Sequence, residues 1–281
     1  MALSYPGQMA KTHDPDRFLA TMFAPAAHRE GLWVLLAVNY EIAKTRDTVS
    51  DPMIGQIRLQ WWREAIDEAY AGTPKQHQLV EPLAALLPRY GWSQQQFDRL
   101  IDTREADLQG ESPADLAALE AYACDSSYPL IFLMAQTLGV DIGEGNQVSE
   151  ALSYLATAYA IAGILRAMAF TLNERYVPLP QDMMAAHGTS ASRIADFPHD
   201  DQLRPLIKRV AENAESHLQQ ARAMRQYIPR SLRPLCLLGV SVQQTLNRLQ
   251  ARDYDVLDQD VVAASPLQPL AYYWANLTGR W

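Results

Sequence analysis

At 281 residues, 48% of them apolar and 20% charged, the chain has enough apolar material for a sizeable core, in one large domain or two small ones. Its formal net charge of −8 argues against nucleic acid as a partner and against general attraction to anionic lipid, although a local basic patch stays open. Cys124 and Cys236 lie far apart without metal-ligand spacing, so two reduced thiols in a cytoplasmic compartment are expected. The opening Met-Ala-Leu-Ser-Tyr-Pro-Gly lacks the basic region and apolar core of a signal peptide.

Strand signals are nearly absent, and helix punctuation is frequent. Asp14-Pro15, Asp51-Pro52 and Ser112-Pro113 each set a capping side chain before a proline at a first helical position, and Ser93 can cap the helix after Gly91-Trp92. In chain order the pattern predicts helices over 15–23, 26–49, 52–71, 77–89, 94–109, 113–139 and 146–172. A loop around Val177-Pro178-Leu179-Pro180 leads to a short helix over 181–187, then to helices over 200–227 and 230–252 and one beginning near Pro266. Residues 173–200, rich in Pro, Gly and His, read as a loop over one end of a bundle. Leu152 to Phe170 is almost wholly apolar and long enough to cross a bilayer, but a helix buried on all sides reads the same way. With nothing else in the chain resembling membrane, the buried helix is expected. No repeat or long linker divides the chain, so one all-α domain over 1–281 is the economical reading.

The sharpest local feature is Asp47-Thr-Val-Ser-Asp51. On a helix, carboxylates four apart share a face, and like charges there repel unless a cation lies between them. A hard divalent ion is one such cation; a solvated acid pair, or Asp51 as an N-cap before Pro52, accounts for the same residues. Arg46 beside Asp47 could pair an acid across a cavity, bind a phosphate, or form a surface ion pair of little worth. The six histidines lie at no metal spacing, and no phosphate-binding or nucleophile-elbow motif occurs. Trp61, Trp62, Leu59 and Ile66 read as core. The tail aromatics Tyr272, Tyr273, Trp274 and Trp281, near Arg280, fit plain helix packing or contact with a membrane interface or partner.

The surroundings of the acid pair carry a resemblance. Asn39-Tyr-Glu-Ile-Ala-Lys-Thr-Arg-Asp47 precedes it, and Ile57-Arg-Leu-Gln-Trp-Trp-Arg63, running on to Tyr70-Ala-Gly72, follows. Then come Phe97 to Leu108 with Asp102 and Asp107, Leu116 to Tyr122, Leu165-Arg166 and Leu179-Pro180; Phe18 and Arg29 come earlier. In this order, from about 15 to 250, the chain resembles the squalene/phytoene synthase family. The resemblance implies the helical isoprenoid synthase fold with a central apolar cavity. It also implies a site where two acid clusters on facing helices hold magnesium (Mg2+) to neutralise a departing diphosphate. By this likeness the ligand-binding candidates are Phe18, Arg29, Tyr40, Lys44, Arg46, Tyr122, Arg166 and Arg175. Asp47 and Asp51 are the metal candidates, and Asp47, Asp51 and Arg166 the vestigial catalytic ones.

The second cluster is missing. Where the family has it, this chain reads Ala160-Ile-Ala-Gly-Ile-Leu-Arg-Ala-Met-Ala-Phe-Thr171, and no Asp or Glu occurs from 151 to 173. Ala160, Gly163, Ala167, Phe170 and Thr171 stand at the family's polar positions, and Lys44 replaces its arginine before the first Asp. Asn39-Tyr-Glu-Ile-Ala43, Ile54-Gly-Gln-Ile-Arg-Leu-Gln-Trp-Trp62, Leu165-Arg-Ala167, Arg175 and the Leu267 to Trp281 stretch resemble a branch that includes a mitochondrial complex I assembly factor. That likeness implies a non-catalytic protein aiding complex I assembly, with complex I subunits or other assembly factors as partners and an isoprenoid or diphosphate as ligand. No cofactor is then required, and the location is cytoplasmic, with at most peripheral contact at the inner membrane. The alternative is an active Mg2+-dependent head-to-head prenyltransferase acting on farnesyl or geranylgeranyl diphosphate.

Overall fold

The computed structural model describes residues 2–49, 51–143, 145–199, 202–263 and 265–281. Their regular structure is helical, without a strand. Helix α1 (Tyr5–His13), which the sequence pattern does not announce, begins behind Ser4, whose hydroxyl accepts from the Gly7 N–H at 3.1 Å. Asp14 caps α2 (Pro15–Thr21) as expected, accepting from the Arg17 N–H at 3.3 Å.

The helix predicted over 26–49 is two, α3 (Ala26–Ala43) and α4 (Thr45–Thr48), broken at Lys44. The Thr48 hydroxyl bonds back to the Lys44 carbonyl, one local side-chain bond that competes with the helix ladder. Next come α5 (Pro52–Tyr70), α6 (Val80–Tyr90) and α7 (Gln94–Asp107). Ser93 precedes α7 without capping it; its N–H donates instead to Gln136 Oε1 at 3.0 Å. Helix α8 (Leu116–Thr137) starts later than Ser112-Pro113 suggests, because Asp115 supplies the cap and the Ser112 hydroxyl donates to the Val177 carbonyl.

Asn146 caps the central helix α9 (Gln147–Asn173). The expected loop over 173–200 contains α10 (Gln181–Ala186) and α11 (Ala191–Asp196). Helix α12 (Leu203–Ala223) follows; the start predicted at 200 lies outside the described residues. The stretch over 230–252 resolves into a 3-10 turn, α13 (Arg233–Cys236), and α14 (Leu238–Ala251), and the first of these helices carries Pro234 in its opening turn, where the missing N–H costs nothing. Last are α15 (Gln259–Val262) and α16 (Gln268–Thr278).

The architecture follows from α9. It is the one helix among the described residues long and apolar enough to cross a membrane, yet it lies in the centre of the bundle, packed by α8, α12 and α14. Leu152, Leu155 and Leu165 are fully buried there, each contributing about 1.5–3 kcal/mol. Helices α5, α6 and α7 extend the core outward, with Trp62 buried and set edge-on to Trp61 at 5.1 Å. Helices α3 and α4 are joined to the rest mainly through α1, α5, α7 and α8, and α4 packs little on α9, which leaves the side of α9 that is open at Gly163 as the candidate cleft. Both cysteines are free; burial pushes the Cys236 thiol up to about 12, out of reach of thiolate chemistry.

Candidate functional site

Asp47 and Asp51 do not share a helix face. Asp47 lies within α4, Val49 is already extended (φ −124°, ψ 139°), and Asp51 is the extended N-cap of α5, accepting from the Met53 N–H at 2.8 Å. The cause is Pro52, which disfavours the helical region for the residue before it. Asp51 is therefore engaged in capping, and Asp47 alone stands at the cleft. Desolvation raises the Asp47 pKa, with Asp107 and Glu174 adding to the rise and Arg46 and Arg104 opposing it. A carboxylate raised on folding contributes stability only while protonated, and loses it as pH rises through its folded value. Asp47→Asn is accordingly expected to raise Tm at neutral pH, with the gain vanishing in acid. Thermal unfolding of both proteins across the carboxylate range checks this; a lowered Tm at neutral pH would mean that Asp47 makes a stabilising bond.

Behind Asp47 lies a set of paired charges. Arg104 on α7 holds Asp107 at 2.8 Å and the Tyr122 hydroxyl of α8 at 3.1 Å. Burial opposes the Arg104 charge, but Tyr122 and Asp107 outweigh it and lift its pKa. On α2, Arg17 pairs with Asp14 at 3.0 Å and lies 4.7 Å from the centre of the Tyr159 ring. Arg166 on α9 reaches Asp16, also on α2, at 2.7 Å. Asp16 is 7% exposed, and its second oxygen accepts from Gln268 of α16 at 3.0 Å. Burial raises Tyr122 and Tyr159, so both stay neutral donors. Three guanidiniums thus meet three carboxylates, and this interior set is charge-neutral. One donor is left over: among the described residues, the buried Arg17 Nε finds no acceptor.

One face of α9 carries Ala160, Gly163 and Ala167, then Phe170 (55% exposed) and Thr171, and Glu174 just past the helix is near enough to act on the Asp47 carboxylate. A Cβ on Gly163 would meet nothing within 4 Å, so this face looks into open space. Arg46 ties the two sides at the mouth, its guanidinium 3.6 Å from the centre of the Tyr176 ring just past α9. Among the described residues, no three His, Cys, Asp or Glu side chains gather where they could hold a metal ion. One carboxylate at Asp47, another engaged as a cap, and a facing wall of alanine and glycine do not fit a magnesium cluster, which needs about six oxygen ligands. Beside the cleft, Asp107, Tyr122, Tyr176, Leu119 and Pro178 enclose a cavity of about 140 Å³. That is close to the ~150 Å³ that accepts one benzene.

The other candidates are dispersed. Phe18 stacks on Trp33 at 5.7 Å, and Arg29 donates to the Ala24 and Met22 carbonyls, closing the turn between α2 and α3. Tyr40 lies under His13 at 3.9 Å with Lys44 Nζ 5.0 Å from its ring centre, and Lys44 pairs with Glu41. Arg175, in the left-handed region at φ 58°, forms an exposed pair with Asp196. Of the ligand-binding set, Arg46, Tyr122 and Arg166 reach the cleft or the charges behind it. Asp14, Asp16, Arg17, Arg104, Tyr159 and Tyr176 belong with them and escaped the sequence reading. Tyr159 was within reach of it: seven residues before Arg166, it shares that side of an otherwise apolar helix.

Residues 10–268 match the squalene/phytoene synthase family. The human protein named NADH dehydrogenase (ubiquinone) complex I, assembly factor 6 is 27% identical over 266 residues, 95% of this chain and 79% of its own. The Drosophila melanogaster homolog of that factor is 24% identical over 279 residues, 97% of this chain and 82% of its own. A phytoene synthase from Thermus thermophilus is 22% identical over 251 residues, 89% of this chain and 84% of its own. A dehydrosqualene synthase crystal structure superposes with a TM-score of 0.84 at 14% identity, covering 98% of this chain and 95% of that one. The squalene synthase HpnC from Alicyclobacillus acidocaldarius gives 0.77 at 17%, covering 89% and 93%. The structural likenesses establish the isoprenoid synthase fold. With a match spanning all but its outermost residues, the chain belongs to the squalene/phytoene synthase family and resembles that family's complex I assembly factor branch.

Proposed function

We propose that this chain is a non-catalytic member of its family that aids assembly of respiratory complex I and holds an isoprenoid-type ligand in the α4–α9 cleft without turning it over. The observation that carries the reading is the face of α9 formed by Ala160, Gly163 and Ala167, which offers no oxygen side-chain ligand where the family has its second acid cluster. Ionisation of an allylic diphosphate needs its developing charge neutralised, and no metal cluster is available here for that. The names of the mammalian and insect relatives support the assembly role. The charge-neutral interior favours a ligand with a neutral polar head over a diphosphate: the guanidiniums of Arg17, Arg104 and Arg166 already hold carboxylates, while the buried Arg17 Nε–H is left to donate to a head group. No cofactor is required in this reading; Mg2+ belongs to the prenyltransferase alternative.

The test has two arms. Purified protein is incubated with farnesyl or geranylgeranyl diphosphate, Mg2+ and reductant, and pyrophosphate release is measured; none is expected. A deletion strain is expected to lose assembled complex I on native gels and to regain it with either the wild-type or the Asp47→Ala gene. Pyrophosphate release abolished by Asp47→Ala would overturn the proposal and establish the prenyltransferase.

A further inference from the structure

Helix α16 has an outer face that nothing in the fold covers. Its inner face is fixed: Tyr272 is fully buried with its hydroxyl bonded to Ser241, and Gln268 bonds both Ser241 and Asp16. Trp281, beyond the helix, is buried as well. Outward point Leu267, Leu270, Tyr273, Trp274 and Leu277, each between 59% and 66% exposed. The spacing of three and four residues makes them one stripe along the helix. A contiguous apolar stripe held rigidly in water marks an interaction surface, in contrast to scattered exposed apolar residues.

Charge says what covers it. In a chain of net charge −8, residues 216–252 contain arginines 222, 225, 230, 233, 248 and 252 and no Asp or Glu, and residues 266–281 contain Arg280 and no acid. The fold brings Arg225, Arg230, Arg233 and Arg280 to the rim of one hollow of about 290 Å³ at the C-terminal end of α16, and among the described residues no acidic side chain lines it. Arg233 also donates to the Asn276 carbonyl, which ties the basic hollow to the apolar helix. Leucines flanked by Trp and Tyr, with arginines at one end, match the requirements of a bilayer interface: apolar side chains enter the acyl boundary, amphipathic rings sit at head-group depth, and guanidiniums pair with lipid phosphates.

We propose that α16 and the arginine hollow at its end dock this protein on the surface of a membrane containing anionic phospholipid. The helix lies in the interface plane, Leu267, Leu270, Trp274 and Leu277 face the acyl chains, and the four arginines hold head-group phosphates. This surface is separate from the α4–α9 cleft, so the proposal stands whether or not the cleft is catalytic.

Flotation of the full-length protein with vesicles tests it. Vesicles of phosphatidylcholine containing a quarter phosphatidylglycerol are expected to carry the wild type upward, and pure phosphatidylcholine to carry much less. Leu270→Glu/Trp274→Glu is expected to cut partitioning at least about tenfold, since two side chains that entered the interface now carry charge. Arg230→Gln is expected to cut it about fivefold and to flatten its dependence on salt. All three replaced side chains face solvent, so unchanged circular dichroism and Tm confirm that the variants fold. The proposal is overturned by a wild type that floats with neither vesicle, by equal flotation of the Glu variant, or by equal binding to neutral vesicles. A wild type that is dimeric by light scattering, fails to float and becomes monomeric in the Glu variant also overturns it, because the stripe then belongs to a second copy of the chain.

Discussion

Replacing Arg104 with alanine is expected to lower the unfolding free energy by about 3–5 kcal/mol and Tm by roughly 10 °C. The side chain of Arg104 is 17% exposed and that of Asp107 is 7% exposed, and the Tyr122 hydroxyl completes the set. Without the guanidinium, Asp107 remains as a buried charge without its cation, and the Tyr122 hydroxyl oxygen loses the donor from which it accepts; both costs fall on the folded state alone. Arg104→Leu/Asp107→Leu removes both charges together and is expected to cost much less, so the cycle should show strong coupling. Urea unfolding of the two single variants and the double variant measures it. A cost under about 1 kcal/mol for Arg104→Ala would mean that water replaces the guanidinium, and that the charges behind the cleft are exposed to solvent in solution. The result bears on function as well. A closed, self-paired Arg104 cannot serve as a diphosphate clamp without first giving up Asp107, and the size of the coupling measures what a diphosphate would have to overcome.

The helices were legible because their starts carry chemistry. Asp14 and Asp51 cap as their positions suggest, while Ser93 and Ser112 do not, and the apolar length of α9 foretold a buried centre. Helix α1 was not legible, since Tyr5–His13 contains a proline, a glycine and no apolar stripe. It is held by packing on α3, where Gly7 lets the Trp33 ring come so near that a Cβ would sit 2.8 Å from Cε3. Of the readings open for the acid pair, the N-cap at Asp51 is the one that formed: a four-residue spacing implies a shared face only if one helix contains both residues, and here the chain is extended at Val49 and again at Asp51, before Pro52. The acid-free second helix, by contrast, was plain in the sequence, because an absence of carboxylates needs no geometry to be seen. What could not be read was pairing at a distance. Asp16 and Arg166 are 150 residues apart, and no local pattern joins them. The tail lay between these cases. Its aromatics divide into buried Tyr272 and Trp281 and exposed Tyr273 and Trp274, and helical periodicity separates Tyr272 from Trp274 without the fold.

Returning oxygen ligands to α9 is expected to create a magnesium site that the wild type lacks. Gly163→Asn/Ala167→Asp/Thr171→Asp places three polar groups at spacings of four on the face of α9 that is open at Gly163. The positions can accept them: a Cβ on Gly163 meets open space, Ala167 is exposed and Thr171 half-buried. Without metal the helix changes little, because the glycine replacement gains about 0.3–0.5 kcal/mol of helix propensity and the two new carboxylates, four apart, repel by about as much. With metal, Asp47 and the new Asp pair close a cation between α4 and α9. If the added Mg2+ stands at 100 times the dissociation constant, binding adds about 2.7 kcal/mol, a rise in Tm of roughly 5–10 °C. Calcium should act similarly, and a monovalent salt at equal ionic strength should not, which separates coordination from screening. Thermal unfolding with and without Mg2+ reads the effect directly. An equal shift in the wild type would show that Asp47 and its neighbours hold the ion unaided, and the non-catalytic reading would lose its main support. No shift in the triple variant would mean that α9 and α4 stand too far apart for one ion to bridge them, and that the cleft has widened as well as lost its ligands.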